Sequence, residues 1–278
     1  MAIKSEKLTH AFLSKHPDTA ARVLEKLDPE EVVALFDALP ARIILPVMRS
    51  MSSMIAAQCL RSMDIEKQTT LVGELGARVS ANIIRLWAAQ DRNQLLRRLP
   101  KRMSVSMRML LSYPVDSVGS IMNTEFVSVN NSQTIGDIEL LLRKSKVDQQ
   151  YEVYVTDDTQ RLKGIVSIMR LLREDNQLKV SQIMDKTIPA ILATSHISQV
   201  LEHANWEIQQ TLPVVDRDKR LVGTLQRSTV LRKLETRSQG SESSGYLAGD
   251  IVSAYWSGWK SMLIAIFANT PEAGNRLR

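Results

Sequence analysis

At 278 residues, the chain has room for about two domains of roughly 150 residues each. Hydrophobic residues make up 44% and charged residues 24%, which excludes an intrinsically disordered chain, and a single cysteine excludes a disulfide framework or a cysteine-based zinc cluster. The net charge of +6 lies entirely in residues 1–112, which hold 17 Lys and Arg against 11 Asp and Glu. Because no run of Lys and Arg is interleaved with aromatic residues, this surplus indicates a solvated basic face and no nucleic-acid partner.

Targeting and catalytic signals are both missing from the sequence. No stretch of 18 or more apolar residues occurs, and residues 1–7 lack the apolar core of a signal peptide, so a cytoplasmic protein without a membrane span is expected. No Gly-rich phosphate loop occurs, and Cys59 sits in an apolar helical stripe typical of a core position. No enzyme is therefore predicted. The histidines show no metal-ligand pattern; they are His10, His16, His196 and His203.

Residues 1–112 contain an internal repeat of 12 residues. Large apolar residues recur at this spacing, each is usually followed by a small, polar or helix-breaking residue, and the pattern between the breakers is helical. Helices of about two turns are marginal alone and become stable when they stack on their neighbours, so this segment is predicted to form a compact α-superhelix. The repeated apolar positions are Leu27, Leu39, Met51, Met63, Leu75, Trp87, Leu99 and Leu111.

The pattern changes near Tyr113, where β-branched runs begin to alternate with helical stretches. The order β-α-β-β-α occurs twice: residues 121–122 recur as 183–184, and residues 157–164 recur as 216–223, at offsets of 62 and 59. Two tandem copies of about 60 residues predict one pseudo-symmetric α/β module, so the fold class is α + α/β.

The last segment combines a flexible linker, predicted by composition from residue 239 to 245, with one amphipathic helix from Ile251 to Phe267. The Trp and Tyr residues of this helix suit a membrane interface, but Lys260 is its only interior cation. Two interpretations stay open. The helix packs against the body or a second subunit, or residues 250–268 dock on a membrane or a separate transporter.

The two β-α-β-β-α copies, each with an Arg-Leu-x-Gly segment before a helix, resemble a CBS-domain pair. Residues 111–129, which begin Leu-Ser-Tyr-Pro, resemble the junction of MgtE-type magnesium transporters, where an α-superhelical N domain runs into a CBS pair. Residues 16–17 and 27–31 also fit that N domain. The resemblance covers residues 10–238 and implies a right-handed α-superhelix followed by a tandem CBS pair that forms a homodimer. In that family a transmembrane domain would follow the CBS pair, where the residue pattern of this chain predicts the C-terminal helix.

The resemblance implies Mg²⁺ as a ligand, because acidic residues of that family's N domain and CBS pair bind it. The family's acid-rich segment falls on residues 87–100, where Gln90 and Gln94 stand for carboxylates and Asp91 alone is acidic. Hard cations need oxygen ligands, so the predicted Mg²⁺ site is degenerate. Further candidate ligands lie at the predicted turns of the CBS copies, where an aspartate usually serves the turn itself; they are Asp157, Asp158, Asp216 and Asp218.

CBS pairs often bind adenine nucleotides through a Gly-x-x-Ser/Thr-x-x-Asp signature, whose aspartate accepts hydrogen bonds from the ribose. The first copy keeps Ser167 but has Arg170 at the aspartate position, and the second copy lacks both residues. An arginine cannot accept a hydrogen bond, so an adenine nucleotide is disfavoured. Ser167 and Arg170 remain candidate contacts, with Arg170 placed to meet a phosphate.

The domains are predicted at residues 1–112 for the superhelix, 113–177 and 178–238 for the two CBS copies, and 239–278 for the linker and C-terminal helix. The predicted function is a non-enzymatic regulatory or sensor module linked to magnesium transport, whose N domain changes its angle to the CBS dimer when a ligand binds. One alternative is an adenine-nucleotide-responsive CBS regulatory protein. The other is a membrane-associated accessory subunit, peripheral to the inner face of the membrane, that docks through its C-terminal helix.

Overall fold

The computed structural model describes residues 2–145, 151–207 and 209–239. The predicted amphipathic helix at Ile251–Phe267 lies outside the described residues. Among those that are described, no helix is both long enough and apolar enough to cross a bilayer.

The N-terminal part is built of short helices whose starts follow the 12-residue repeat. From α2 to α9, each helix begins 12 residues after the one before it. Proline stands at the first position of α2 and α3, where its missing N–H costs nothing. Gly76, with a φ of 82°, makes the sharp corner between α6 and α7. The helices are α1 (Ala2–Lys15), α2 (Pro17–Leu24), α3 (Pro29–Asp37), α4 (Ala41–Ser50), α5 (Ser53–Ser62), α6 (Ile65–Leu75), α7 (Ala77–Ile84), α8 (Ala89–Arg98) and α9 (Lys101–Ser112).

These helices stack so that each one packs against the second helix along the chain, from α2 on α4 through to α7 on α9. The repeated apolar residues fall at or next to the helix ends and are buried from Leu39 to Leu99, while Leu27 and Leu111 are partly buried against the same core. The indole N–H of Trp87 donates to the carbonyl of Ala57 at 2.9 Å. The predicted α-superhelix of short helices is confirmed, since the repeat does supply one buried anchor per helix.

The α/β part contains two three-stranded sheets of identical topology. In each sheet the first strand runs parallel to the second, and the second runs antiparallel to the third. The first copy comprises β1 (Ser128–Asn130), α11 (Ile135–Lys144), β2 (Glu152–Thr156), β3 (Leu162–Ser167) and α12 (Ile168–Leu171). The second comprises β4 (Ile191–Leu192), α14 (Ile197–Leu201), a 3-10 helix (Ala204–Glu207), β5 (Thr211–Val215), β6 (Leu221–Gln226) and α15 (Arg227–Gln239).

The two copies exchange their leading segments. Helix α10 (Val118–Ile121) precedes the first copy but lies on the second, where the N–H of Val118 donates to the carbonyl of Ser195 at 2.9 Å. Helix α13 (Val180–Ile183) precedes the second copy but lies on the first, where the N–H of Val180 donates to the carbonyl of Gln133 at 3.0 Å. This exchange makes the pair one module, as the tandem repeat predicts.

The hydrophobic core of the superhelix continues into the second CBS copy. One buried cluster includes residues of α2 to α9, of α10 and of the second sheet, such as Leu212 and Leu225. The first copy has its own cluster around Val153 and Val166. The N-terminal domain is therefore packed against the second copy through α10.

Candidate functional site

The turns that carry the aspartates predicted as ligands lie side by side. The N–H of Leu162 donates to the carbonyl of Lys219 at 3.0 Å, and the N–H of Leu221 donates to the carbonyl of Gln160 at 2.9 Å. Gln160 and Lys219 both have a positive φ, 63° and 62°, at equivalent positions of the two hairpins. The β2–β3 and β5–β6 turns thus meet across the pseudo-twofold axis of the pair.

Within its turn, Asp157 is fully engaged. Its Oδ1 accepts from the hydroxyl of Thr159 at 2.7 Å and from the N–H groups of Thr159 and Arg161, and its Oδ2 lies 3.2 Å from Nζ of Lys163. The hydrogen bond from the Thr159 hydroxyl, with those from the backbone and Lys163, holds the pKa of Asp157 well below its usual range. Its partner in the second copy, Asp216, accepts from the N–H groups of residues 218 and 220 at 2.9 and 2.8 Å.

The other two turn aspartates have separate partners. Oδ1 of Asp158 accepts from Nδ2 of Asn130 at 2.8 Å, and Oδ2 of Asp218 lies 4.0 Å from Nη1 of Arg220. Across the described part of the chain, no three His, Cys, Asp or Glu side chains come together to hold a metal ion. The turn aspartates therefore belong to no cluster of three such ligands among these residues. A site with one or two carboxylates and bound water stays a prediction.

Asp91 lies in the first turn of α8, where its Oδ2 is 2.7 Å from Nη2 of Arg61. The adjoining face of α8 lines a shallow depression of about 450 Å³, and its charged groups there are arginines. Such a face repels a divalent cation. The residues that line it are Gln90, Asn93, Gln94, Arg97 and Arg98.

Ser167 and Arg170, the candidate nucleotide contacts, have structural roles at α12. The hydroxyl of Ser167 caps the helix by accepting from the N–H of Arg170 at 3.2 Å. The Arg170 side chain is half exposed, and its Nε lies 3.8 Å from Oε1 of Glu174. In the second copy, Thr229 stands at the position of the ribose-binding aspartate, and its Oγ1 accepts from Nη1 of Arg78, a residue of the superhelix, at 3.1 Å.

Arg85, which the sequence analysis does not single out, clamps the junction between the domains. Its Nη1 donates to the carbonyl of Tyr113 at 2.9 Å and its Nη2 to that of Leu110 at 2.6 Å, so the residue that follows α7 supplies donors to the free carbonyls at the end of α9. Burial, with the charge of Arg92 nearby, lowers the pKa of Arg85. The signal in the sequence is a cation that directly follows the apolar end of α7.

The Leu-Ser-Tyr-Pro junction has a second tight contact. The ring of Tyr113 lies so close to Gly119 that a Cβ at this glycine would be 2.4 Å from the ring carbon Cγ. Only glycine permits this approach, so Tyr113 and Gly119 fix how the end of α9 meets α10.

A cleft of about 130 Å³ separates the superhelix from the segment after α10. Arg49 of α4, residues 75–79 and residues 123–125 line it. Nη2 of Arg49 donates to the carbonyl of Glu74 at 2.8 Å. Burial lowers the pKa of Arg78, and the charges of Arg232 and Arg49 lower it further. This cationic cleft contributes part of the basic surplus of residues 1–112.

Comparison with known proteins identifies both parts of the chain. Residues 15–116 match the model of the MgtE intracellular N domain, and residues 118–176 and 180–236 match the CBS domain. The magnesium transporter MgtE of Thermus thermophilus is 27% identical over 241 residues, which are 80% of this chain and 53% of that protein. MgtE of Enterococcus faecalis is 27% identical over 149 residues, 51% of this chain and 32% of that protein. The chain thus spans about half the length of the first relative and a third of the second.

Solved structures show the same fold. The cytosolic domain of the Mg²⁺ channel MgtE in complex with ATP superposes with a TM-score of 0.56 at 24% identity, covering 84% of this chain and all of that one. The soluble part of a magnesium transporter superposes with a TM-score of 0.59 at 18% identity, covering 85% of this chain and 99% of that one. The arrangement of a superhelix followed by a CBS pair is therefore shared with these proteins.

Proposed function

Because the chain belongs to the proteins that join an MgtE intracellular N domain (residues 15–116) to CBS domains (residues 118–176 and 180–236), we propose that it is a non-enzymatic regulatory module linked to magnesium transport. The observation that carries the proposal is the close packing where the two domains meet. Arg85 and the contact of Tyr113 with Gly119 hold the superhelix to α10, and α10 lies on the second CBS copy. A ligand or partner that shifts one domain therefore moves the other.

We assign the superhelix to residues 1–112, the CBS copies to 113–177 and 178–238, and the tail to 239–278, and we place the module on the cytoplasmic side. Residues 250–268 lie outside the described residues, so no structural observation favours membrane docking through them. Ribose recognition at Arg170 is not part of the proposal, since its guanidinium only donates hydrogen bonds and lies near Glu174.

We propose that the module works as a homodimer through its CBS pair. Exposed apolar side chains are concentrated on the first copy: Leu140 of α11, and Met169 with Leu172 at α12, are each 59% exposed. Tyr151, whose carbonyl accepts from the N–H of Ile168 at the start of α12, is 81% exposed. Apolar surface of this kind on a folded module supports an interface with a second chain.

The dimer is tested by sedimentation velocity of the purified chain and of two charged variants. We expect a species of twice the chain mass for the wild type, and dissociation for Leu140→Glu and Met169→Glu, because each variant would bury an unpaired charge in the interface. Val105→Glu on α9 is the matched control, since Val105 is equally exposed but lies on the superhelix. A monomeric wild type, or two variants that stay dimeric, contradicts the proposed interface.

Magnesium binding stays a separate prediction, because the described residues show no cluster of three metal-ligating side chains. Its test is the melting temperature of the chain in millimolar MgCl₂ against NaCl of the same ionic strength. A saturable rise of the melting temperature that is lost in one aspartate variant identifies that aspartate as a magnesium ligand. Equal melting temperatures in MgCl₂ and NaCl contradict magnesium binding, and the module then responds to another ligand or partner. The variants replace, one at a time, Asp91, Asp157, Asp158, Asp216 and Asp218 by asparagine.

A further inference from the structure

The cleft between the superhelix and the CBS pair concentrates positive charge in a confined space. Arg49 and half-buried Arg78 line it, and Arg232 of α15 is close enough for its charge to lower the pKa of Arg78. Guanidinium groups repel one another, and partial burial weakens the screening of that repulsion by water. A bound negative charge would offset the repulsion between the two arginines that line the cleft, Arg49 and Arg78.

Neither of the two arginines that line the cleft is paired with a carboxylate of the described residues. Within them, neither Arg49 nor Arg78 has a carboxylate oxygen within 4.0 Å. Nη2 of Arg49 donates to the carbonyl of Glu74, and Nη1 of Arg78 donates to the hydroxyl of Thr229, which are both neutral acceptors. Glu125 lines the mouth of the cleft, but its side chain is exposed and forms no ion pair with either arginine.

The start of α7 lines the same cleft. The N-cap is Gly76, which has no side chain to cap the helix, and residues 77–79 follow it along the cleft wall. The first N–H groups of a helix have no partner within the helix and carry the positive end of its dipole. A helix start beside arginines is a recurrent way in which proteins hold phosphate groups.

From this geometry we propose that the cleft binds a phosphate-type oxyanion between the guanidinium groups of Arg49 and Arg78 and the start of α7. At about 130 Å³ it takes one phosphate group, which is either inorganic phosphate or the terminal phosphate of a small phosphorylated molecule whose remainder extends into solvent. The site differs from the nucleotide position at Ser167 and Arg170, which lies in the first CBS copy.

The proposed site lies where the two domains meet. Arg49 and Arg78 come from α4 and α7 of the superhelix, while residues 123–125 and Thr229 belong to the CBS pair. The anion offsets the repulsion between Arg49 and Arg78 in this cleft between the domains. The inference does not rest on the proposed function, because binding is measured on the isolated chain without a transport assay.

Isothermal titration calorimetry with inorganic phosphate tests the site, in the full chain at low ionic strength. We expect saturable binding to the wild type and a dissociation constant at least about tenfold higher in Arg49→Gln and Arg78→Gln, since each variant removes charge-assisted hydrogen bonds. Arg97→Gln is the control, because Arg97 is an exposed arginine of the same domain outside the cleft, and it should bind like the wild type. Circular dichroism of Arg49→Gln, an exposed position, verifies that the loss is not a loss of folding.

Parallel titrations with pyrophosphate and AMP distinguish the sources of the phosphate group. Tight binding of inorganic phosphate identifies the free ion as the ligand. Weak binding of inorganic phosphate together with tight binding of pyrophosphate or AMP identifies a phosphorylated molecule as the ligand. In either case the binding must weaken in Arg49→Gln. The proposal is overturned if none of the three binds saturably, or if every anion that binds does so equally well to Arg49→Gln. In that second case the anion occupies another part of the molecule.

Discussion

At the scale of single residues, two glycines explain the Arg-Leu-x-Gly segments of the CBS copies. A Cβ at Gly164 would lie 2.5 Å from Sδ of Met184, and one at Gly223 would lie 2.7 Å from Sδ of Met122 and 2.9 Å from the carbonyl oxygen of Asn123. Each methionine comes from the leading segment of the opposite copy, so the glycines leave room for the exchanged segments. The same contact is made twice, as the pseudo-symmetry requires.

Gly223→Ala is therefore expected to lower the free energy of unfolding by about 1–3 kcal/mol, because a backbone carbonyl cannot move aside as a side chain does. The measurement is urea unfolding at equilibrium. Gly73→Ala is the matched control: a Cβ there meets nothing within 4 Å in an exposed part of α6, and alanine should raise stability by up to about 1 kcal/mol. Equal stability of Gly223→Ala and the wild type would show that the segment shifts freely.

The carboxylate of Asp157 illustrates how a turn uses a candidate ligand. Its pKa in the folded chain is below the value of about 3.9 that an aspartate has when unfolded, because its hydrogen bonds favour the ionised form. A depressed folded pKa means that the ionised group stabilises the fold above that unfolded value. The contribution is lost as the pH falls from about 4 toward the folded pKa.

Asp157→Asn should consequently be less stable than the wild type at pH 7, and the difference should shrink as the pH falls below about 4. Urea midpoints of both proteins across this range provide the measurement. Asp218→Asn serves as the comparison, since the carboxylate of Asp218 is 64% exposed and only 4.0 Å from Arg220, and its effect should be small at every pH. A pH-independent deficit for Asp157→Asn would contradict the ionic role of this carboxylate.

At the scale of elements, the junction of α7, α9 and α10 decides how the two domains meet. Arg85, at the C-cap of α7, reaches the carbonyl end of α9, and the ring of Tyr113 covers Gly119 in α10. None of these elements is long, so their mutual position depends on specific contacts rather than on a continuous helix.

Replacing Arg85 by alanine should lower the free energy of unfolding by roughly 2–4 kcal/mol, since the carbonyls of Leu110 and Tyr113 lose charge-assisted hydrogen bonds. Arg85→Lys should recover only part of the lost stability, because an ammonium group lacks the planar fork of donors that reaches both carbonyls. Guanidinium chloride unfolding measures the change. Arg97, an exposed arginine at the end of α8, provides the control. If Arg97→Ala lowers the free energy of unfolding as much as Arg85→Ala does, the effect is not specific to the junction.

At the scale of the whole molecule, the main feature is how the buried apolar residues are shared among the domains. The superhelix, α10 and the second CBS copy share one buried cluster, whereas the first copy has its own. The two parts that differ most in architecture, a helical stack and a mixed sheet, are thus joined by apolar packing. Elements that share a core tend to unfold as one cooperative unit.

Native-state hydrogen exchange should show this coupling. We expect the slowest amides of α6 and α7 to exchange with the same free energy as those of β5 and β6, and with the same dependence on denaturant. Mass spectrometry of exchanged peptides resolves these segments. The expectation fails if the superhelix loses its protection at a lower denaturant concentration than β5 and β6, because the shared cluster would then not transmit stability.

The local sequence pattern determines the order of the helices and strands along the chain. Breakers every 12 residues set the starts of α2 to α9, and the offsets of 62 and 59 set the two equal sheets, because helix ends and strand runs depend on neighbours in sequence. Turn chemistry at Asp157 and Asp216 could also be anticipated from their positions in tight turns. The ligand roles of these aspartates remain predictions.

Only the tertiary structure decided which residues meet across the chain. Arg85 reaches a carbonyl 28 residues away, and Arg78 reaches Thr229 over 151 residues, so no spacing rule could have paired them. The exchange of α10 and α13 is likewise invisible in a tandem repeat, since either copy could have kept its own segment. The repeats therefore predict the series of helices and strands, while long-range packing places the arginines at the junction, because contacts between residues distant in sequence depend on the folded shape.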